Sequence, residues 1–165
     1  METTRTALKG QFHAAMDMLK GAIDACPDDL WLAGRPPRSF WRLAYHTLFF
    51  AHLYLENCNE DFVPWEHHRD EVESDEERER PDAAPYSKAE LLTYWNWIDE
   101  WADAQFDKLD LSAPESGFSW YKIPKLDHVI LNVRHVSEHA GQLRDRLLEA
   151  GIDQRWQTRR LSHLG

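Results

Sequence analysis

The chain has 165 residues, 42% of them hydrophobic and 12% aromatic, with eight tryptophans; this composition builds a packed core and is unlike that of a disordered chain. The formal net charge of −10 repels a phosphate backbone, so nucleic acid is not an expected partner. Eleven acidic residues against three arginines fall between Glu60 and Asp82, which makes the acidity local to one segment.

From Thr4 to about Ala25, Leu8, Phe12, Met16, Leu19 and Ile23 recur at spacings of three and four, which predicts a first helix with one buried stripe. Cys26-Pro27-Asp28-Asp29 ends it. Gly34-Arg35-Pro36-Pro37 keeps the chain irregular as far as Ser39, a candidate N-cap for a second helix reaching about Asn57. That helix is apolar almost all round and is expected to be the most buried. Its apolar stretch, Leu43 to Leu55, is interrupted by His46 and His52 and falls short of the roughly 20 residues that span a bilayer. With two cysteines, Cys26 and Cys58, and no apolar leader at the N-terminus, the expectation is a cytoplasmic protein with free thiols and no membrane contact.

Residues 59–86 carry Pro64, Pro81, Pro85 and the acidic run, and read as a long connection with little regular structure and no role in the core. In bundles such a connection is a crossover between helices that point the same way. Within it His67-His68 reads as part of a solvated charge run. Ser87-Lys88-Ala89-Glu90 has the pattern of a capping box and opens a third helix through Leu91, Tyr94, Trp95, Ile98, Trp101 and Phe106. Trp95, Trp97 and Trp101 on it suit core packing or a subunit contact better than base stacking. Pro114 and Gly117 break the chain, and Pro124 suits the first position of a fourth helix that runs to Ala150 and stops at Gly151. The tail from Arg155 to Leu161 is basic and contains Trp156, which leaves a short docked helix or a homodimer contact. The expected architecture is all-α, one domain over residues 1–165, with four long helices.

On the fourth helix His135 and His139 lie about 40° apart and one turn apart along the axis, so two imidazoles can converge on one ion. His128, Asn132, Gln142 and Arg146 share that polar strip, beside the apolar stripe of Val129, Val133, Val136, Ala140, Leu143 and Leu147. His46 sits in the most apolar helix, where its ring nitrogens need partners that a metal would supply. Spacing alone leaves a bland alternative open, in which the pair is solvated and His46 is a hydrogen-bonded core histidine. Three neutral imidazoles and a water make the ligand set of an open zinc site, and nickel, iron or manganese also accept it. His135-Val-Ser-Glu138-His139 also fits the H-x-x-E-H pattern of inverted zinc peptidases, a weak match on a short, strand-free scaffold. Cys58 lies about 18 Å along the axis from His46, too far to join its ligands.

Phe40-Trp41-Arg42-Leu43-Ala44-Tyr45-His46, followed roughly ninety residues later by His135-Val136-Ser137-Glu138-His139-Ala140-Gly141-Gln142-Leu143, resembles the DinB-like (YfiT-like) family of metal-dependent enzymes. The resemblance runs from the first helix to Gly151, and its most specific part is the histidine pair followed by Gly141-Gln142. It implies an up-down-down-up four-helix bundle with His46, His135 and His139 as ligands of a divalent metal and water completing the shell. It further implies an enzyme acting on a small-molecule substrate, first a thiol-dependent S-transferase or isomerase using a low-molecular-weight thiol, and second a hydrolase of a small amide or ester. A bundle that binds metal without catalysis is the rival reading. Ala140 departs from the pattern, because many members carry Arg directly after the last histidine.

Overall fold

The computed structural model describes residues 2–34, 38–73 and 83–160. Five α-helices, α1 (Glu2–Ala25), α2 (Asp28–Trp31), α3 (Phe40–Leu53), α4 (Lys88–Lys108) and α5 (Lys125–Glu149), and one 3₁₀ turn (Asn59–Asp61) account for the regular structure, with no strand among the described residues. The protein is all-α. No helix among the described residues is long and apolar enough to cross a membrane.

The stripes of α1 and α5 close on each other. Phe12, Met16, Leu19 and Ile23 from α1 and Val129, Val136, Ala140, Leu143 and Leu147 from α5 are fully buried. α1 packs on α5 and α4, and α3 packs on the same two helices, so all four long helices feed one continuous core. Twelve of the fourteen residues of α3 are buried, and the two that are not are His46 and Phe50. Both therefore mark where the most apolar helix opens to solvent. Leu8 and Val133 pack only at the margin of the core.

Several boundaries move for tertiary reasons. α3 stops at Leu53, four residues before the Asn57 expected from pattern, and the carbonyls that follow it find side-chain partners on other helices: Gln105 Nε2 donates to Leu55 O at 3.0 Å, and Lys125 Nζ to Glu56 O and Asn57 O at 3.2 and 2.7 Å. Gly117 fits against this end with φ +88°, where a Cβ would lie 2.0 Å from Asn57 O. Ser39 stands at the N-cap of α3 without giving a side-chain cap, and its Oγ is buried without a hydrogen-bond partner among the described residues. Ser87 and Glu90 do form the reciprocal capping box. Pro124 is the N-cap of α5, one position before the helix starts.

The connection after α3 is not the solvated linker that its composition suggests. Trp65, Val72 and Tyr86 are buried, Trp65 stacks on Tyr94 at 4.6 Å, Arg42 Nη1 donates to Val72 O, and Trp31 Nε1 donates to Tyr86 O. His68 leaves the charge run as well: it is hydrogen-bonded to the Tyr45 hydroxyl and stacked on its ring. These aromatic residues are too widely spaced to register as a helical or strand period, and their burial comes from long-range contacts. Residues 74–82, with five of the eleven acids of the run, lie outside the described residues.

The tail forms no helix over residues 152–160 and docks on its own chain. Arg144 Nη2 donates to Gln154 O at 2.6 Å, and Arg160 N to Gly10 O at 3.1 Å. The Arg160 guanidinium pairs with Asp17 and Asp99 beside the fully buried His13, whose Nδ1 and Nε2 lie 2.7 and 3.0 Å from Asp99 and Asp103. Trp156 is exposed.

Burial by itself disfavours an imidazolium, yet the two carboxylates override it and raise His13 above its ordinary 6.5. A histidine kept protonated by folding contributes stability that is complete below 6.5 and is lost as pH climbs through the raised value. His52, His128 and His135 titrate below 6.5, so above it they are neutral in both states and offset nothing. Unfolding free energy in urea is expected to decline between pH 6.5 and about 8.5, below the thiol range, and His13→Gln is expected to abolish that decline.

Candidate metal centre

The α3–α5 contact decides which side chains meet. Lys125, the first residue of α5, reaches the end of α3 through its two carbonyl contacts, and Asn132 Nδ2, fully buried, donates to Ala51 O in the last turn of α3 at 3.0 Å. Burial holds the Lys125 amine below its ordinary range. These two side chains fix the sliding position of α5 on α3.

In that register His46 of α3 faces His135 and His139 of α5. One ring nitrogen from each histidine lies within 4.8 Å of the others, and these three form the group suited to a metal ion among the described residues. His46 Nε2 and His135 Nε2 are 3.4 Å apart. Two ligands of a tetrahedral ion held at the usual zinc–nitrogen length also sit about 3.4 Å apart, so the spacing matches the chemistry. All three rings are half-buried.

Tautomers follow from the outer contacts. His46 Nδ1 lies 3.1 Å from Glu73 Oε2, and a carboxylate accepts, so Nδ1 carries the hydrogen and Nε2 presents its lone pair. His139 Nδ1 lies 3.1 Å from Gln142 Oε1, which gives the same assignment. His135 Nδ1 is buried with no hydrogen-bond partner among the described residues. Burial, reinforced by His139 and His46, lowers His135 to about 3, and burial lowers His139 as well. Both shifts favour the neutral imidazole of His135 and His139, the form that ligation requires.

Around it the walls are apolar and aromatic. Phe50 packs on His46 at 4.7 Å and on His135 at 5.7 Å, and Tyr54 lies 5.9 Å from His135. Ala140, directly after the last histidine, is fully buried in the core. Glu138 is exposed and is not one of the three clustered residues. His128 is not in the cluster either. It is fully buried between Phe118, Tyr54 and Tyr121, with neither ring nitrogen hydrogen-bonded among the described residues, and burial lowers it to about 4. Arg146 Nη1 donates to Arg38 O at 2.8 Å. Cys26 is buried with its thiol pushed up to about 11, and Cys58 is partly buried; both are free thiols outside the cluster.

Glu73 is the residue that sequence reasoning missed. It belongs to the acidic run, 27 positions from His46, and no spacing rule separates it from its neighbours.

No protein-family model, curated protein or solved structure matches the chain.

Because Glu73 holds the His46 tautomer, Glu73→Gln is expected to weaken divalent-metal affinity by about 10- to 100-fold. Calorimetric titration with zinc checks this, and the helical circular dichroism signal should be unchanged.

Proposed function

We propose that the protein is a DinB-like divalent-metal-binding enzyme of the cytoplasm that acts on a small molecule, with His46, His135 and His139 as the ligands. The observation that carries this reading is the convergence of three imidazole nitrogens within 4.8 Å, with the His46 ring held by Glu73. The four long helices, each packed on two others, suit an up-down-down-up bundle, and the long segment between α3 and α4 has the reach to cross over.

Three ligands favour an open site over a closed structural one, since structural zinc is normally held by four protein ligands. Glu73 and Gln142 engage the outer nitrogens of the ligand rings, which orients those rings and leaves a coordination position free for a ligand from solution. Bound there, a divalent ion supplies Lewis acidity toward a thiol or a water. The chain's own residues orient the rings and wall the site: Phe50 packs on His46, and Tyr54 lies against His135. Transfer of a low-molecular-weight thiol to an electrophile is the reaction class we assign. The test is turnover of metal-loaded protein with a panel of small thiols and alkyl electrophiles, beside a panel of small esters and amides. Metal-dependent conjugation supports the assignment, and hydrolysis without conjugation replaces it with hydrolase chemistry.

Purified protein is expected to carry about one divalent ion per chain, and His135→Ala or His139→Ala to lose most of it by elemental analysis. The core does not depend on the ion, so chelation should lower the melting temperature by the lost binding free energy and keep the helical signal at room temperature.

A further inference from the structure

A second cavity of about 450 Å³ opens between α3, α4 and the extended segment after the 3₁₀ turn, and none of the triad histidines lines it. Its walls are indoles. Trp97 and Trp101 stand one turn apart on α4 with their rings stacked at 5.4 Å and only 13° from parallel, and Trp65 lines the other side. His52 sits edge-on against both, 4.7 Å from Trp97 and 5.0 Å from Trp101. Trp97 is 40% exposed, a large apolar surface left at the mouth of a cavity.

The same cavity is lined by Glu56, Asp61 and Glu66 and by no lysine or arginine among the described residues. Glu66 pairs with His67 outside the cavity lining, whereas Glu56 and Asp61 face one another's charge. Burial, and next the Asp61 charge, push the Glu56 carboxyl up, and the fields of Lys108 and Lys125 offset only part of that rise. Glu56 Oε2 accepts from Gln105 Nε2 at 2.7 Å, which fixes the side chain. Of the cations whose field reaches Glu56, Lys125 binds the carbonyls of Glu56 and Asn57 and Lys108 lies outside the lining. His52 adds no positive charge, because burial lowers it to about 3.

Indole faces and carboxylates both attract a cation, and they select its kind. The faces reward a cation whose charge is spread over alkyl groups and weakly hydrated. A bare metal ion would need convergent oxygens, and the carboxylates here do not form a metal-suited group among the described residues. We infer that this pocket binds an alkylated ammonium head group, seated against Trp97 and Trp101, with Glu56 and Asp61 supplying the counter-charge. The site is separate from the histidine triad and does not depend on metal.

The test uses the full chain, with and without chelator, titrated by calorimetry with choline and with 3,3-dimethylbutan-1-ol, its uncharged isostere. Choline is expected to saturate the protein in both states and to bind about tenfold more tightly than the isostere. Trp97→Leu and Glu56→Gln, both at the cavity rim, are each expected to weaken choline about tenfold, with circular dichroism confirming that the fold is kept. Equal affinity for choline and the isostere would reduce the pocket to an apolar cleft and overturn the inference. So would preference for n-butylamine over choline, absence of saturable choline binding, unchanged binding in Trp97→Leu, or a dimer abolished by Trp97→Leu that occupies the surface.

Discussion

The register of α5 on α3 is the constraint on which the candidate site depends. A histidine pair one turn apart on α5 presents two imidazoles wherever that helix lies, but the third comes from α3 and meets them only if the helices stop sliding at one position. Two side chains with three hydrogen bonds set that position. Lys125 spans from the first turn of α5 to the open carbonyls at the end of α3, and Asn132 reaches Ala51 O from the middle. Each polar group would be costly to bury alone, and each carbonyl costly to leave unpaired, so only the matched register satisfies both. Sliding by one helical turn, about 5.4 Å, would separate His46 from His135 by more than a ligand bond can tolerate.

A second layer of order comes from the segment after α3. Its aromatic residues, Trp65 and Tyr86, pack under Tyr45 and Tyr94, and this packing carries Glu73 to His46. The same segment presents Trp65 to the indole cavity on the other side. One connection thus supplies both a carboxylate that orients a ligand ring and a wall of a second pocket. The tail does comparable work against α1 and α4 through Arg160 and the His13 cluster, where Asp99 and Asp103 hold both ring nitrogens of the buried His13.

How much of this was legible in sequence divides along physical lines. Helices α1, α4 and α5 were readable because their burial repeats with the helical period, and the Ser87–Glu90 box because a cap is a local interaction. The three histidines could be named from their spacing, from the oddity of His46 in an apolar helix and from the family resemblance. Nonlocal causes stayed hidden. The carbonyls beyond the early end of α3 pair with Gln105 and Lys125, some fifty and seventy positions away, and the empty cap at Ser39 reflects a hydroxyl turned into the interior. Glu73 was one acid among eleven, and Trp65 and His68 sat in a stretch whose charge suggested solvent. Composition describes an average over a segment, whereas a few buried anchors decide where the segment goes.

We propose that three imidazoles hold one divalent ion, with no further protein ligand among the described residues. X-ray absorption of zinc-loaded protein reads the ligand shell itself, and three imidazole nitrogens and one light atom at about 2.0–2.1 Å, with the multiple-scattering pattern of histidine rings, are expected. A sulfur at about 2.3 Å, or a shell with fewer than two imidazoles, would contradict it.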